Sequence, residues 1–407
     1  MKRILLLLPG NTYRANDFIV AALKIKINLV IGTDQTQALS QKLPDRYLML
    51  DFHKLKLSTT KIYNFSIQKK IDKILAVDDQ GVLLASLASK KLNINHSSFE
   101  SVSATKNKYI LNILLFRNNL IDSNFFLINN NKNQKNKIKY PSVIKPLGLS
   151  SSRGVIRVNN KIEFIKNKNF LFNLLQNELK NECNNAFEKE NILIQNYMPG
   201  KEYAVEGIVE QKRFKLLAVF QKPKPLTGPY FEETIYLSMP LCTSHFINQI
   251  IQTSQKTIEA IGINEGPVHI EYRVNKTGIY PIDVGARSIG GLCARIIQFE
   301  NNITLEEIIL NNALGNKFSA KNKQTLTAVM MIPTIHEGTI ESISGIDEAK
   351  KIKNITDIQI TVHKNQKIQK LPKANIYIGF IFAEGKSKKG IIKSLQKANA
   401  QIKITLS

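Results

Sequence analysis

The sequence predicts a mixed α/β and α+β protein that opens with a doubly wound parallel domain and continues in hairpin-rich α+β units. Three patterns in the 407-residue chain carry this prediction. Short apolar runs alternate with amphipathic stretches over residues 1–95, the pattern of β-α-β units on a parallel sheet. Strands and hairpins then dominate from Asn191 to Asp283. The last 90 or so residues, about the length of a small domain, repeat a strand–helix alternation.

Taken in order, Arg3 to Leu8 is continuously apolar after its first residue and reads as a strand buried on both faces. Ala15 to Lys26 carries helical periodicity, and Asn28 to Gly32 is a second buried strand. Lys73 to Val77 reads as the third strand. The acidic turn Asp78-Asp79 follows it and leads into a helix from Gly81 to Leu92. G-x-G-x-x-G is absent, so no dinucleotide site is expected. Lys106 to Leu120 is helical, and Lys132 to Lys139 is a polar surface loop before a strand at Ser142 to Lys145. Lys161 to Glu190 reads as helical, polar and Asn-rich. Leu305 to Leu314 forms a helix that Gly315 terminates as a C-cap, and Lys388 to Ala398 forms a late helix.

Composition narrows the function. The net charge is +25, but only ten of the 57 basic residues are Arg, and the Lys are scattered among Asn and Ile. A nucleic-acid partner is therefore not expected, although a positive field would help attract an anionic substrate. Three cysteines, Cys183, Cys242 and Cys293, lack metal spacing and are too few for a disulfide framework, which fits a reducing compartment. Met1-Lys2-Arg3 before Ile4 to Leu8 imitates a leader, but the run gives way to Pro9-Gly10-Asn11-Thr12 without a cleavage site. No apolar run approaches the ~18 residues that span a bilayer. The expectation is a cytoplasmic protein without a membrane partner, with a homodimer as the prior.

The chemistry concentrates in Val268-His269-Ile270-Glu271-Tyr272-Arg273 and Tyr280-Pro281-Ile282-Asp283-Val284-Gly285-Ala286-Arg287-Ser288-Ile289-Gly290-Gly291. Each opens as a strand, and Asn275-Lys276-Thr277-Gly278 between them reads as a hairpin turn. His269, Glu271 and Arg273 then share one face, with Asp283 opposite that row. Two facing carboxylates followed by an arginine and a glycine-rich loop fit a Mg²⁺ held against a polyphosphate. Val143-Ile144-Lys145-Pro146 runs into Leu147-Gly148-Leu149-Ser150-Ser151-Ser152-Arg153-Gly154, which offers an ammonium, hydroxyls and backbone N–H groups to phosphate. A flexible hairpin tip would look the same. Ile192-Leu193-Ile194-Gln195 runs into Asn196-Tyr197-Met198-Pro199-Gly200-Lys201-Glu202, a strand exit suited to reading an adenine edge and ribose hydroxyls, or simply a hairpin with a surface Glu.

The order of these elements, Lys108, Lys145, the Ser-rich loop, Gln195 to Glu202, Glu271, Asp283 and Arg287, resembles the ATP-grasp superfamily, in particular its carboxylate–amine ligase branch of L-amino acid ligases and carnosine synthase. Pro9 to Ala15 and Val77 to Gly81 resemble that branch's N-terminal domain. Lys222 to Thr234 (KPKPLTGPYFEET) and Gly285 to Gly291 resemble its most specific motifs. Leu371-Pro372 and Tyr377 to Ala383 resemble its C-terminal domain. The resemblance implies a Rossmann-like domain over 1–100, an ATP-grasp domain over 101–317 and a C-terminal α+β domain over 318–407. The ATP-grasp part would divide into a nucleotide-clamping subdomain near 120–195 and a catalytic part near 196–317, together clamping ATP.

It also implies roles. Lys108 and Lys145 would hold the α- and β-phosphates, and the loop Ser150, Ser151, Ser152 to Gly154 would close over the β- and γ-phosphates. Gln195 and Met198 would read adenine, Glu202 the ribose, and Lys222 would join the nucleotide set. Glu271 and Asp283 would ligate Mg²⁺, with Mn²⁺ as a substitute. Arg287 would stabilise the transferring phosphoryl group and a later oxyanion. His269 would contact an acyl phosphate or serve as a satisfied sheet histidine. Glu232 or Glu233 would bind a substrate ammonium, one of the two facing solvent, and Ser288, Gly290 and Gly291 would line the substrate site. The implied reaction activates a carboxylate, as of an amino acid, as an acyl phosphate with release of ADP, then joins it to an amine. A carboxylase or other acyl-phosphate enzyme with a non-amine acceptor, and a non-catalytic nucleotide-binding protein, are the alternatives. Four positions depart from the family pattern: Asp283 in place of Glu, Gly285 where a second metal-binding side chain is usual, Asn107 in place of Asp, and Ser151 in place of Gly.

Overall fold

The computed structural model describes residues 2–10, 12–35, 45–130, 137–180, 182–183, 185–241, 244–373 and 376–407. Cys242 and residues 132–136 of the expected surface loop lie outside this set. In the N-terminal unit, β1 (Arg3–Leu7), β2 (Asn28–Thr33), β3 (Tyr47–Met49) and β4 (Lys73–Ala76) form a parallel sheet in the order β3-β2-β1-β4. Ile4 to Leu7 are fully buried because helices cover both faces. α1 (Ala15–Lys24) packs Phe18, Ala21 and Ala22 on one face, and α3 (Val82–Lys91) packs Leu84, Ala85 and Ala88 on the other.

The strand at Lys73 is the fourth, not the third. The short β3 and the helix α2 (Leu55–Gln68) escaped sequence reading because α2 is polar and buries only Ser58 and Ile62 deeply. The predicted helix from Lys106 to Leu120 is α5 (Lys108–Arg117), and a separate helix that the sequence reading did not include, α4 (Phe99–Lys106), precedes it. Asn107 between them is extended, and its side chain accepts hydrogen bonds from the Tyr109 and Ile110 amides. It is an N-cap rather than a helix interior residue, and it fixes Lys108 at the first position of α5.

A four-stranded antiparallel sheet follows, ordered β5 (Phe125–Asn129), β8 (Asn191–Asn196), β6 (Ser142–Pro146), β7 (Ile156–Val158). The helical stretch read from Lys161 to Glu190 is broken into α6 (Lys161–Asn173), a π-turn at Leu174–Glu178 and a short α7 (Ala186–Glu190). Leu171, Phe172, Leu174 and Leu175 pin this segment to the sheet.

The second half is organised by an eight-stranded sheet ordered β13-β12-β9-β10-β11-β14-β18-β16. Its members are β9 (Lys201–Glu210), β10 (Arg213–Lys222), β11 (Ile235–Met239), β12 (Gly266–Asn275), β13 (Gly278–Gly285), β14 (Leu326–Ile332), β16 (Ile355–Ile360) and β18 (Gly379–Gly385). β14 pairs with β11, so the C-terminal residues extend the central sheet instead of forming a detached unit. β15 (Gly338–Ser344), β17 (Lys367–Ile368), β19 (Lys403–Leu406) and α11 (Lys388–Gln401) pack against that extension. The run from Asn191 to Asp283 is not all strand. A 17-residue helix, α8 (His245–Ile261), buries Ile247, Ile250, Ser254, Thr257, Ile258 and Ile261 at helical spacing. Its many β-branched residues imitate strand composition, while Ser244 caps its start and Gly262, at φ 82°, ends it. α9 (Leu305–Ala313) carries a capping box at Thr304 and Glu307. Among the described residues, no helix is long and apolar enough to cross a membrane.

Candidate active site

The β12–β13 hairpin places the carboxylates as predicted. Glu271 pairs directly with Asp283 and His269 with Gly285. The pairing register then shifts, Tyr272 lying opposite Pro281 so that Ile282 is passed over. A bulge of this kind bends the strand and re-aims the side chains beside it. On the other side, β12 pairs with β9 so that His269 faces Glu206 and Arg273 faces Glu202. His269, Glu271 and Arg273 thus form one polar row on a sheet whose opposite face packs Tyr272, Val268 and Ile270 into the core.

Every member of that row has a charged partner. Arg273 forms an ion pair with Glu202 and donates to the Gly200 carbonyl at 3.2 Å and the Leu226 carbonyl at 2.6 Å. Lys222, nearly fully buried, sits among three carboxylates: Glu233 at 2.6 Å, and Glu202 and Glu271 each at 3.3 Å. Burial opposes its charge, but Glu233, Glu271 and Glu202 together hold the ammonium well above the usual Lys range. For Glu271, burial works against ionisation, and Lys222 and His269 override it, so the carboxylate stays charged. His269 Nδ1 is bonded to the buried Glu206, and its Nε2 lies 3.5 Å from Glu271. Burial alone would discharge the ring, yet Glu206 and then Glu271 lift it to about 9. His269 is therefore a satisfied imidazolium that also faces the second cavity described below.

Two cavities meet over this floor. The first lies between the four-stranded sheet and the central sheet and is lined by Lys108, Lys145, Ser152, Gln195, Asn196, Tyr197, Met198 and Glu202, then Lys222, Glu233, Glu271, Arg273 and Asp283, with Val143, Val155, Leu226, Phe231 and Ile282 as apolar walls. Lys145 donates to the Gln195 side chain at 3.0 Å. Burial lowers it to about 8, partly offset by Asp283. Lys108 donates to the Leu149 carbonyl at 2.6 Å, which ties α5 to the Ser-rich loop. In that loop Ser151 and Ser152 take the left-handed conformation, which turns successive amides toward one side. Gly154 lines neither cavity. Its φ is +69°, a Cβ there would meet the Pro146 ring at 2.5 Å, and its amide donates to the Pro372 carbonyl at 2.9 Å.

The second cavity continues past Glu271 and Asp283. It is lined by Ser150 to Ser152, Glu233, Tyr236, His269, Gly285, Arg287, Gly290, Gly291, Cys293, Met331 and Tyr377, together with Asp79 and Lys106. Arg287 donates to Asp79 at 2.9 Å and to the Ser288 carbonyl at 2.9 Å. Burial disfavours the Asp79 carboxylate, but Arg287 and Lys106 outweigh it and hold it below the usual carboxylate range. Burial also raises the Cys293 thiol far out of its usual range, so Cys293 is a neutral wall.

Residues 138–296 match the family model of the ATP-grasp domain, and residues 330–407 match that of L-amino acid ligase C-terminal domain 2. The chain carries an ATP-grasp domain. It is 25% identical over 239 residues to dapdiamide A synthase of Enterobacter agglomerans, covering 56% of this chain and 53% of that protein. It is 23% identical over 273 residues to an uncharacterized protein, y4rH, of Sinorhizobium fredii, covering 67% of this chain and 54% of that protein. The chain thus spans about half the length of the curated relatives it matches. The L-amino acid ligase from Bacillus licheniformis superposes with a TM-score of 0.84 at 21% identity, over 100% of this chain and 99% of that one, so the two share a fold.

Within the ATP-grasp domain and its surroundings, most residues singled out from sequence converge on the two cavities, and three do not. Gly154 is a packing glycine. Ser288 is buried with its hydroxyl accepting from Arg14 at 2.5 Å, and lines neither cavity. Glu232 is half-buried and also lines neither, whereas Glu233 points to Lys222 and faces both. Glu202 lines the first cavity, but its two oxygens are engaged by Arg273 and Lys222. Sequence reading gave no role to Asp79, Lys106, Glu206 or Arg273. The i, i+2 spacing from Glu271 had placed Arg273 on the right face. Asp79 and Glu206 belong to elements distant in sequence, and only tertiary pairing brings them in.

Glu271 and Asp283 also answer for a metal ion. Mg²⁺ takes one or two carboxylates and fills its octahedron with phosphate oxygens and water. Among the described residues, Asp283 accepts only its neighbour's amide, Val284 N–H, and the charge of Glu271 is balanced by Lys222 and His269. This donor set fits one Mg²⁺. Gly285 adds no side-chain ligand, and a Cβ there would make ordinary van der Waals contact with the Arg287 guanidinium carbon at 3.4 Å.

Proposed function

We propose that the protein is an ATP-dependent ligase that activates a carboxylate, that of an amino acid, as an acyl phosphate and joins it to an amine. One observation carries this reading: the cleft and the second cavity share Glu233, Glu271 and Asp283 in their walls, and Arg287 lines the second cavity. A γ-phosphate directed along Lys145 and the Ser-rich loop would arrive there, and a substrate carboxylate in the second cavity would face it. Adenine would lie against Val143, Val155, Leu226 and Ile282 with its edge on Asn196 to Met198. Mg²⁺ held by Glu271 and Asp283 would supply charge neutralisation at the phosphate oxygens.

In the first step a carboxylate oxygen attacks the γ-phosphorus and the bond to ADP breaks. Lys145 and Lys108 hold the phosphates, which is where catalysis of phosphoryl transfer chiefly lies. In the second step the amine nitrogen adds to the acyl carbon, the carbon–phosphate oxygen bond breaks, and phosphate and a proton leave. Arg287 is a donor for the oxyanion formed on the way. Glu233 supplies the negative charge that would orient a substrate ammonium.

The test is ADP and phosphate release from ATP with Mg²⁺ across pairs of amino acids, with mass spectrometry of the products. The expected result is an amide product matching ADP in amount for at least one pair. ADP release with no amide for any pair would replace the ligase by an acyl-phosphate enzyme with another acceptor. ATP binding with no turnover would leave a nucleotide-binding protein.

A further inference from the structure

We infer that Asp79, on the turn after β4, is a positioning residue that aims the Arg287 guanidinium into the second cavity; the inference rests on the ligase reading above. Asp79 Oδ2 accepts from Arg287 Nη2 at 2.9 Å, and the Ser288 carbonyl accepts from Nη1 at 2.9 Å. A guanidinium is planar and carries five N–H groups. Two acceptors at different corners fix both the position and the plane of the fork, and leave the remaining donors for oxygens in the cavity.

The backbone that carries Arg287 is held from the same domain. Arg14, fully buried, donates to Ser288 Oγ at 2.5 Å and to the Ile289 carbonyl at 2.7 Å, and is itself anchored by Glu306. From the sheet, Glu206 accepts the Ile289 amide at 2.9 Å. Arg14 therefore fixes the loop, and Asp79 fixes the side chain that the loop presents. Asp79 itself faces the second cavity beside Lys106 and not the nucleotide cleft. This location separates aiming from tethering. A residue that only ties the domains together would, when lost, weaken stability and nucleotide handling alike. A residue that aims Arg287 would impair the chemical steps and leave ATP binding intact.

The experiment compares the full-length wild type with Asp79→Asn, which keeps an oxygen acceptor without charge, and Asp79→Ala, which keeps neither. NMR of ¹⁵N-labelled protein reads rotation of the Arg287 guanidinium, its signal assigned with Arg287→Lys. ADP formation with the amino-acid pair that supports turnover reads kcat and the KM for ATP. The expected result is hindered rotation in the wild type and released rotation in both variants. kcat should fall about 10–100-fold, the effect usual for supporting partners of a site residue, more in Asp79→Ala than in Asp79→Asn, with the KM for ATP unchanged. Unchanged rotation overturns the proposal, and so does released rotation with an unchanged kcat. Parallel losses of thermal stability, ATP affinity and kcat also overturn it, in favour of a domain tie. If the wild type forms no amide with any pair, the ligase reading has failed and the aiming role falls with it. The NMR signal then still reports whether the pair exists, so the two failures can be told apart.

Discussion

The nucleotide cleft and the second cavity share Lys108, Ser152, Glu233, Glu271 and Asp283, yet they are assembled differently. Every residue lining the cleft falls between Lys108 and Asp283. Its groups sit on strands that pair with one another, so register alone brings Glu202, Lys222, Glu271, Arg273 and Asp283 together. The second cavity adds Asp79 from the N-terminal sheet and Met331 and Tyr377 from the C-terminal strands. It exists only where three distant segments meet. The cleft is thus built by one contiguous stretch, while the second cavity depends on how segments from the two ends of the chain seat against it.

The sharpest way to break this comparison is at the shared floor. Asp283→Ala should lower turnover by about 10³-fold or more, the scale on which a charge-stabilising group acts in a transition state. The thermal midpoint should stay close to wild type, because among the described residues Asp283 accepts only one local amide. Near-normal turnover would move the metal floor elsewhere. The cleft's buried cluster gives the next effect. Lys222→Met leaves Glu202, Glu233 and Glu271 without their common cation, and breaking a buried ionic cluster costs about 3–5 kcal/mol. Urea unfolding should register that loss, and Glu233→Gln added to Lys222→Met should recover part of it. A loss below about 1 kcal/mol, typical of solvated pairs, would mean that the cluster is hydrated.

The same contrast governs what could be read in the sequence. The cleft is legible because its groups follow short-range rules: i, i+2 spacing puts Glu271 and Arg273 on one face, and the hairpin turn sets Asp283 opposite Glu271. The Arg287–Asp79 pair was not, because nothing local relates residues 208 positions apart. Asp78-Asp79 reads as an acidic turn and as part of the Val77 to Gly81 motif, and neither reading points to Arg287. The fold shows the same limit. The buried strands β1, β2 and β4 were clear from their apolar runs, whereas α8 was hidden by its isoleucines and threonines and α2 by its polarity. Asn107 was read as part of a helix because capping depends on a local backbone angle that composition does not display.

Lys145 gives a prediction of intermediate size within the cleft. Its folded value of about 8 lies below the ordinary Lys value of about 10.4. Below pH 8 it is charged both folded and unfolded, and its burial opposes folding there. That opposition fades as pH rises from about 8 toward the unfolded value and is gone above it. Phosphate oxygens would restore the charge, so binding of ATP at pH 8.5 should take up a fraction of a proton. Calorimetry in buffers of different ionisation enthalpy measures this, and Lys145→Met should remove it. Uptake that persists in Lys145→Met would assign the proton to another group.

The smallest effect tests how far the cleft depends on secondary structure alone. Asn107 caps α5 through hydrogen bonds from the Tyr109 and Ile110 amides. The next residue, Lys108, is tied at both ends to the stretch leading into the Ser-rich loop: its amide to the Leu147 carbonyl at 2.9 Å and its ammonium to the Leu149 carbonyl at 2.6 Å. Asn107→Ala removes the cap and should cost about 1 kcal/mol of stability. Because Lys108 keeps both of its own ties, ATP affinity should weaken only slightly. Asn107→Asp should restore stability, since a carboxylate caps as well and also favours the positive end of the helix. If Asn107→Ala instead abolished ATP binding with stability little changed, Asn107 would be a direct ligand of the nucleotide, and the cleft would extend one residue further than its lining now indicates.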